Sequence, residues 1–140
     1  MDSYYKRVSE MKKTKQKSQL ISSLKKATIE MLLLKLLMES DMYGYQMSQE
    51  IKKRSSENYT ILEGSMYPIL YRLTEQKYIS FYEEKVGKRQ TRIYYHLEEA
   101  GKEYLNQLIS LYYEYTEIIS FLLRTKEGDV YEQNDETKRS

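Results

Sequence analysis

Apolar positions along this chain follow a helical period almost throughout, and give way to strict alternation only between residues 78 and 97. At the front, Tyr4, Tyr5, Val8 and Met11 fall on one side of a short helix. Lys12, Lys13, Lys15 and Lys17 then end the apolar stripe. From Leu24 to Met38 the helical pattern is strong. Eight of the ten residues from Ile29 to Met38 are apolar, so this helix is expected to be buried on several sides. Glu39-Ser40-Asp41 ends it, and Met42-Tyr43-Gly44-Tyr45 opens the next element, with Gly44 supplying backbone freedom at the junction. Tyr45, Met47 and Ile51 mark a second helix that closes on Lys52, Lys53 and Arg54, cations suited to the negative end of its dipole. Ser55 to Asn58 reads as a polar connection and Tyr59 to Leu62 as a short extended piece.

The stretch Gly64-Ser65-Met66-Tyr67-Pro68-Ile69-Leu70-Tyr71-Arg72-Leu73 predicts a third helix with one buried and one decorated face. Ser65 is a candidate cap, which places Pro68, the chain's only proline, in the first turn where a missing N–H costs least. Met66, Leu70 and Leu73 form the core stripe. Pro68, Tyr71, Arg72 and Glu75 lie on the opposite side, with Ser65 and Tyr67 at its margins. Outward-facing tyrosines and an arginine suit a helix that inserts into a partner.

The alternating segments Tyr78–Tyr82 and Arg92–Leu97 predict two strands joined by a loop with Gly87 at its tip. Ile93, Tyr95 and Leu97 should share one face, and Arg92, Tyr94 and His96 the other. Lys85, Lys88, Arg89 and Arg92 fall within eight residues of this hairpin. Three helices followed by a basic hairpin is a winged helix-turn-helix, with the third helix as recognition helix and the hairpin as wing. The last element should run from Glu99 to Arg124. Leu105, Leu108, Tyr112, Tyr115, Ile119 and Leu122 are spaced 3, 4, 3, 4 and 3, which is an a/d seam. Ile109, Leu111, Ile118 and Leu123 widen that surface beyond what one small domain covers. The excess points to a partner helix in a second subunit.

The fold class is therefore mainly α with a small β-hairpin: a winged helix-turn-helix with a long C-terminal dimerisation helix. Residues 1–22 are a basic arm or helix and 23–98 the winged domain. Residues 99–124 are the dimerisation helix, and 125–140 a polar tail expected to be disordered. A chain of 140 residues with 40% hydrophobic and 31% charged residues suits one domain with extensions. The net charge of +2 conceals an uneven placement. Residues 1–26 carry eight Lys and Arg against Asp2 and Glu10, while the last stretch from Glu127 is acidic. The front segment is thus suited either to pack on a partner subunit or to touch phosphates.

Cysteine is absent, histidine occurs once and there is no glycine-rich phosphate loop. No catalytic residue, metal site or cofactor is expected. His96 reads as a surface or hydrogen-bonded residue, and Glu83-Glu84 and Glu98-Glu99 as solvated charges. The first residues form no signal-peptide core and the longest apolar run is too short to span a bilayer, so a cytoplasmic protein without membrane contact is expected.

The landmarks Gly44-Tyr45, Gly64-Ser65-Met66-Tyr67-Pro68 with Leu70 and Leu73, and Arg92-Ile93-Tyr94-Tyr95-His96-Leu97 before Gly101 occur in that order. With them the chain, from about Leu24 to Leu123, resembles the phenolic acid decarboxylase regulator (PadR) family of bacterial transcriptional regulators. The resemblance implies a homodimer on double-stranded DNA that represses nearby genes until a small molecule or other signal releases it. Ser65, Tyr67, Pro68, Tyr71 and Arg72 would enter the major groove, with Arg72 reading guanine or gripping a phosphate. Lys85, Lys88, Arg89 and Arg92 would hold the backbone or the minor groove. Lys77 stands where the family usually has glycine and Glu98 where it usually has threonine. The absence of tryptophan removes the mode in which flat drugs are sandwiched between two indoles. The rival reading is a winged domain used only for protein contacts, which has no need of four basic wing residues.

Overall fold

The computed structural model describes residues 2–133. Their order is α1 (Asp2–Lys26), α2 (Ile29–Glu39), β1 (Met42–Tyr43), α3 (Gly44–Arg54), α4 (Glu63–Glu75), β2 (Ile79–Lys85), β3 (Thr91–Leu97) and α5 (Glu99–Arg124). The chain divides into two compact units, residues 1–105 and 106–140.

In the first unit, α2, α3 and α4 bring Leu33, Leu34, Met47, Met66, Leu70 and Leu73 together, all essentially inaccessible to solvent. Ile79 at the base of the sheet and Leu105 from the start of α5 complete this core. Each such side chain contributes roughly 1.5–3 kcal/mol by leaving water. As its composition requires, α2 is buried on several sides, through Ile29, Leu33, Leu34, Leu36 and Leu37. It starts later than its pattern suggested. Ala27 and Thr28 form a turn, and residues 2–26 are a single helix of 25 residues. Of the arm or helix expected at the front, the structure has a helix, longer than the short one its apolar residues mark.

The hairpin pairs Ile79 with Leu97 through Lys85 with Thr91, and Gly87 at φ +81° turns its tip. A third strand joins it. Met42 and Tyr43 pair with Tyr95 and Tyr94, giving the antiparallel order β1-β3-β2. Tyr59–Leu62, expected to be extended, forms no strand.

Two expectations about α4 are corrected. The residue preceding it is Leu62, which makes no side-chain cap, so Ser65 lies within the first turn instead of capping it. Pro68 therefore falls in the second turn, where it denies the Gly64 carbonyl its intrahelical donor. At the other end Lys77 adopts φ +63°, the left-handed conformation that favours glycine, and the Tyr78 amide donates back to the Leu73 carbonyl at 3.0 Å. A lysine there is strained, yet the turn keeps its geometry.

Gly101 fixes the start of α5. A Cβ at this position would overlap the Tyr78 carbonyl oxygen, so only glycine lets the helix pack against the base of the wing. Glu98, before the helix, is not a solvated charge: the Ser80 hydroxyl donates to its Oε1 at 2.6 Å. The second unit contains the rest of α5 and the segment after it. There Gly128 at φ +99° lies in a turn from Lys126 to Asp129, and Tyr131 rests edge-on against Phe121. The expected disordered tail thus begins with an ordered turn, and its last residues, 134–140, lie outside the described residues. Among the described residues no helix is long and apolar enough to cross a membrane.

Candidate nucleic-acid interface

The outer arc of α4 follows from its inner one. With Met66, Leu70 and Leu73 buried, a helical twist of about 100° per residue carries the exposed arc from Tyr67 through Tyr71 and Pro68 to Arg72 and Ser65. Tyr71, 69% exposed, is the most open large side chain on this arc. Tyr67 is held closer. Its ring lies on the backbone of Gly44, so near that a Cβ there would meet the phenol oxygen at 2.7 Å. This contact joins two of the sequence landmarks and gives Gly44 a reason beyond backbone freedom. Burial pushes the Tyr67 phenol above its ordinary value and the Glu63 carboxylate adds to the shift, so its hydroxyl stays protonated and can donate. Burial likewise raises the neighbouring Tyr95 phenol.

Arg72 is not the free guanidinium expected from its place on the arc. It meets Glu30 Oε1 of α2 at 3.2 Å, and the same oxygen accepts a 2.9 Å hydrogen bond from Tyr104. The pair is half exposed on the arginine side, so its worth to stability is at most about 1 kcal/mol. The guanidinium nevertheless begins from an occupied geometry.

On the wing, Lys85, Lys88 and Arg89 are exposed. Arg92 is half-buried, with its guanidinium 4.4 Å from the centre of the Tyr43 ring. Tyr43 meets Tyr94 edge-on and Tyr94 stacks on Tyr82, so β1, β3 and β2 are bridged by three aromatic rings on the face that carries Arg92. At the foot of that face the Tyr82 hydroxyl donates to Asp41 Oδ2 at 2.9 Å, and His96 Nδ1 lies 2.7 Å from Asp41 Oδ1. His96 is thus a hydrogen-bonded surface residue. Glu83 and Glu84 lie opposite Ile93 and Arg92, which makes the strands less basic than the loop.

The candidate residues fall into two groups around α4. Tyr67 and Arg92 share a small cavity with Tyr43, Gly44, Tyr45 and Tyr95, on the wing side. Ser65, Pro68 and Arg72 line a larger cleft of about 940 Å³ whose other wall is the end of α1. Tyr45, 54% exposed beside Gly44, belongs to the first group and was missed as a candidate. Lys25 and Lys26 belong to the second, and their only signal in the sequence is the basic charge of residues 1–26.

Residues 33–107 match the transcriptional regulator PadR-like family. The chain belongs to this family. It is similar to an uncharacterised protein X of Lysinibacillus sphaericus, 34% identical over 95 residues that cover 68% of this chain and 87% of that one. It is also 30% identical over 113 residues to the transcriptional regulator YqjI of Escherichia coli, covering 80% of this chain and 51% of that protein. The chain therefore spans about half the length of the Escherichia coli relative. Among solved structures, a transcriptional regulator from Clostridium thermocellum superposes with a TM-score of 0.67 at 28% identity, over 71% of this chain and 96% of that one. A PadR family transcriptional regulator from Eggerthella lenta gives a TM-score of 0.72 at 23% identity, over 83% and 99%, and so bears on the fold alone. The PadR-like match takes in α3, α4 and the whole wing, while α1 lies outside it.

One further correction concerns the seam. Leu105 is completely buried in the first unit and is not available to a partner, whereas Tyr112, Tyr115, Ile119 and Leu122 are each at least 42% exposed.

Proposed function

We propose that this PadR-like regulator is a sequence-specific double-stranded DNA-binding protein. We propose further that it acts as a homodimeric repressor released by a small molecule or another signal. The observation that carries the reading is the outer arc of α4 beside a hairpin whose loop bears Lys88 and Arg89, with Lys85 at the end of β2. A helix of about 10–12 Å diameter fits a major groove about 12 Å wide. The residues near its N-terminal end then reach the base edges, which favours Ser65, Tyr67, Pro68 and Tyr71 over Arg72. Arg72, at the far end and paired with Glu30, is better placed to exchange that carboxylate for a phosphate. Lys85, Lys88 and Arg89 contact the backbone and position the protein without reading sequence, while Arg92, near the loop end of β3, is held over Tyr43. Dimerisation uses Leu108, Tyr112, Tyr115, Ile119 and Leu122 on the exposed part of α5.

The reading is tested by titrating specific and random duplexes at several salt concentrations. Tyr71→Ala should weaken specific binding by roughly 1–3 kcal/mol and random binding much less. Lys88→Ala with Arg89→Ala should weaken both and flatten the salt dependence by about 0.9 unit for each phosphate no longer neutralised. A wild-type protein that binds no segment of the DNA upstream of its own gene would return the winged domain to a role in protein contacts.

A further inference from the structure

The two cavities beside α4 lie on opposite flanks of its exposed arc. Tyr67 lines the one shared with the wing, and Ser65, Ile69 and Arg72 line the one shared with α1. Tyr71, between them, lines neither. A helix seated in a major groove has a sugar–phosphate strand along each flank. The wing's cations attend one flank. The other is faced by α1, which carries eight Lys and Arg against two acids over 25 residues.

We infer that α1 is a second phosphate-binding element, which grips the DNA strand bordering the major groove on the side away from the wing. The inference rests on the DNA-binding reading above and extends it to a helix outside the family match. Charge complementarity names the occupant of the cleft. Its α1 wall is lined by Ser18, Ile21, Ser22, Lys25 and Lys26, of which the two serines and two lysines can donate to phosphate oxygens. Lys25 is held in place: its ammonium donates to the Thr60 carbonyl at 2.7 Å and lies 5.0 Å from the centre of the Tyr59 ring.

Beyond the cleft α1 is exposed along nearly its whole length. Its apolar residues fall into two short groups on different sides, Tyr4, Val8 and Met11 near its start and Leu20, Ile21 and Leu24 near its end, and make no stripe that runs the length of the helix. A helix with little tertiary packing lacks the main source of helical stability in proteins, and a polyanion along it would neutralise its self-repulsion. At about 1.5 Å per residue it spans about 37 Å, enough to pass several phosphates.

The test uses the full chain with Lys12, Lys13, Lys15 and Lys17 all replaced by glutamine, which keeps helix propensity and removes four charges. A second variant, Ser22→Glu, puts a carboxylate into the cleft. Both are titrated against specific and random duplexes across a salt series, with sedimentation of the free proteins alongside. The lysine variant should bind both duplexes more weakly at 0.1 M salt, roughly fivefold to tenfold for each phosphate no longer neutralised, with a slope flatter by about 0.9 unit for each. Ser22→Glu should weaken both at least about tenfold, since it replaces a phosphate donor by a repelling charge. Wild-type affinity and slope in the lysine variant would overturn the inference, and wild-type binding by Ser22→Glu would remove the strand from the cleft and overturn it equally. Dissociation of the lysine variant to monomers where wild type is a dimer would instead assign α1 to assembly. Failure of the wild type to bind either duplex would bring down both this inference and the reading it rests on, a result distinct from normal binding by wild type and variants alike.

Discussion

The chain has two long helices of nearly equal length, α1 with 25 residues and α5 with 26, and both leave large apolar side chains in contact with solvent. Their chemistry is opposite. In α1 the apolar residues form two short groups on different sides, Tyr4, Val8 and Met11 near its start and Leu20, Ile21 and Leu24 near its end. Lysines lie between them, and no side is preferred along the whole helix. In α5 they fall on a seam that continues past the buried Leu105 through Tyr112, Tyr115, Ile119 and Leu122. Exposure alone therefore says little about what a helix is for. An organised apolar face can be desolvated by a like face, as in a second copy of this chain, whereas dispersed apolar residues between cations cannot. On the readings proposed above, the same solvent-facing state in one chain corresponds to two different partners, a protein for α5 and a polyanion for α1.

The comparison is broken most directly by introducing charge on the seam. With Leu108→Asp and Ile119→Asp together, the dimer proposed above should be lost at micromolar concentration, because two carboxylates per chain would have to be buried unpaired at several kcal/mol each. Light scattering reads the outcome. The matched substitutions Leu20→Asp and Leu24→Asp in α1 should leave the assembly unchanged. A monomeric wild type would show that the seam has no partner, and loss of the dimer on changing α1 would erase the distinction between the helices.

A smaller effect is expected where α5 meets its own domain. Gly101→Ala drives a methyl into the Tyr78 carbonyl oxygen and places it 2.6 Å from Leu97 Cδ1. The helix start or the foot of the wing must shift, and stability to denaturant should fall by roughly 1–3 kcal/mol, the usual range for overpacking. The nearest equivalent at the end of α1 is the hydrogen bond at 2.7 Å between the Thr28 and Tyr59 hydroxyls, a softer anchor. Unchanged urea unfolding in Gly101→Ala would mean that the base of α5 is as loosely held as α1.

How far each helix could be read from sequence obeys the same division. The course of α5 was legible because its apolar spacing holds from Leu105 to Leu122, and the two wing strands because alternation and the turn at Gly87 agree. The length of α1 was not, since a lysine-rich segment without an apolar stripe has helix propensity but no period to mark it. Long-range pairing was beyond the reach of sequence. β1 has only two residues and exists because Tyr94 and Tyr95 of β3 pair with it. Arg72 meets Glu30 across 42 residues, so its place on the outer arc was predictable and its occupied guanidinium was not. Leu105 continues the heptad spacing perfectly, yet Gly101 four residues earlier draws that turn of the helix into the domain. Ser65 was read as a cap because its residue type suits one, whereas the buried Ile61 fixes the approach and the helix starts at Glu63 without a side-chain cap.

The smallest expected effect is also the sharpest separation of the two helices. Leu24 in α1 is 77% exposed and Leu122 in α5 is 63% exposed, so within one chain the two leucines are nearly equivalent. Removing either from a solitary chain should change little, since surface substitutions away from packed features usually fall within about 0.5 kcal/mol. Leu24→Gln is expected to stay in that range for both unfolding and self-association. It removes no packed side chain, and glutamine sustains a helix about as well as leucine. Leu122→Gln should leave the isolated chain equally untouched but weaken the dimer by about 1–3 kcal/mol, the worth of burying that leucine against a partner. Measured side by side, dimer dissociation constants should thus separate two substitutions that denaturation of the dilute chain does not. Equal dissociation constants for the two variants would show that α5 has no more claim to a protein partner than α1.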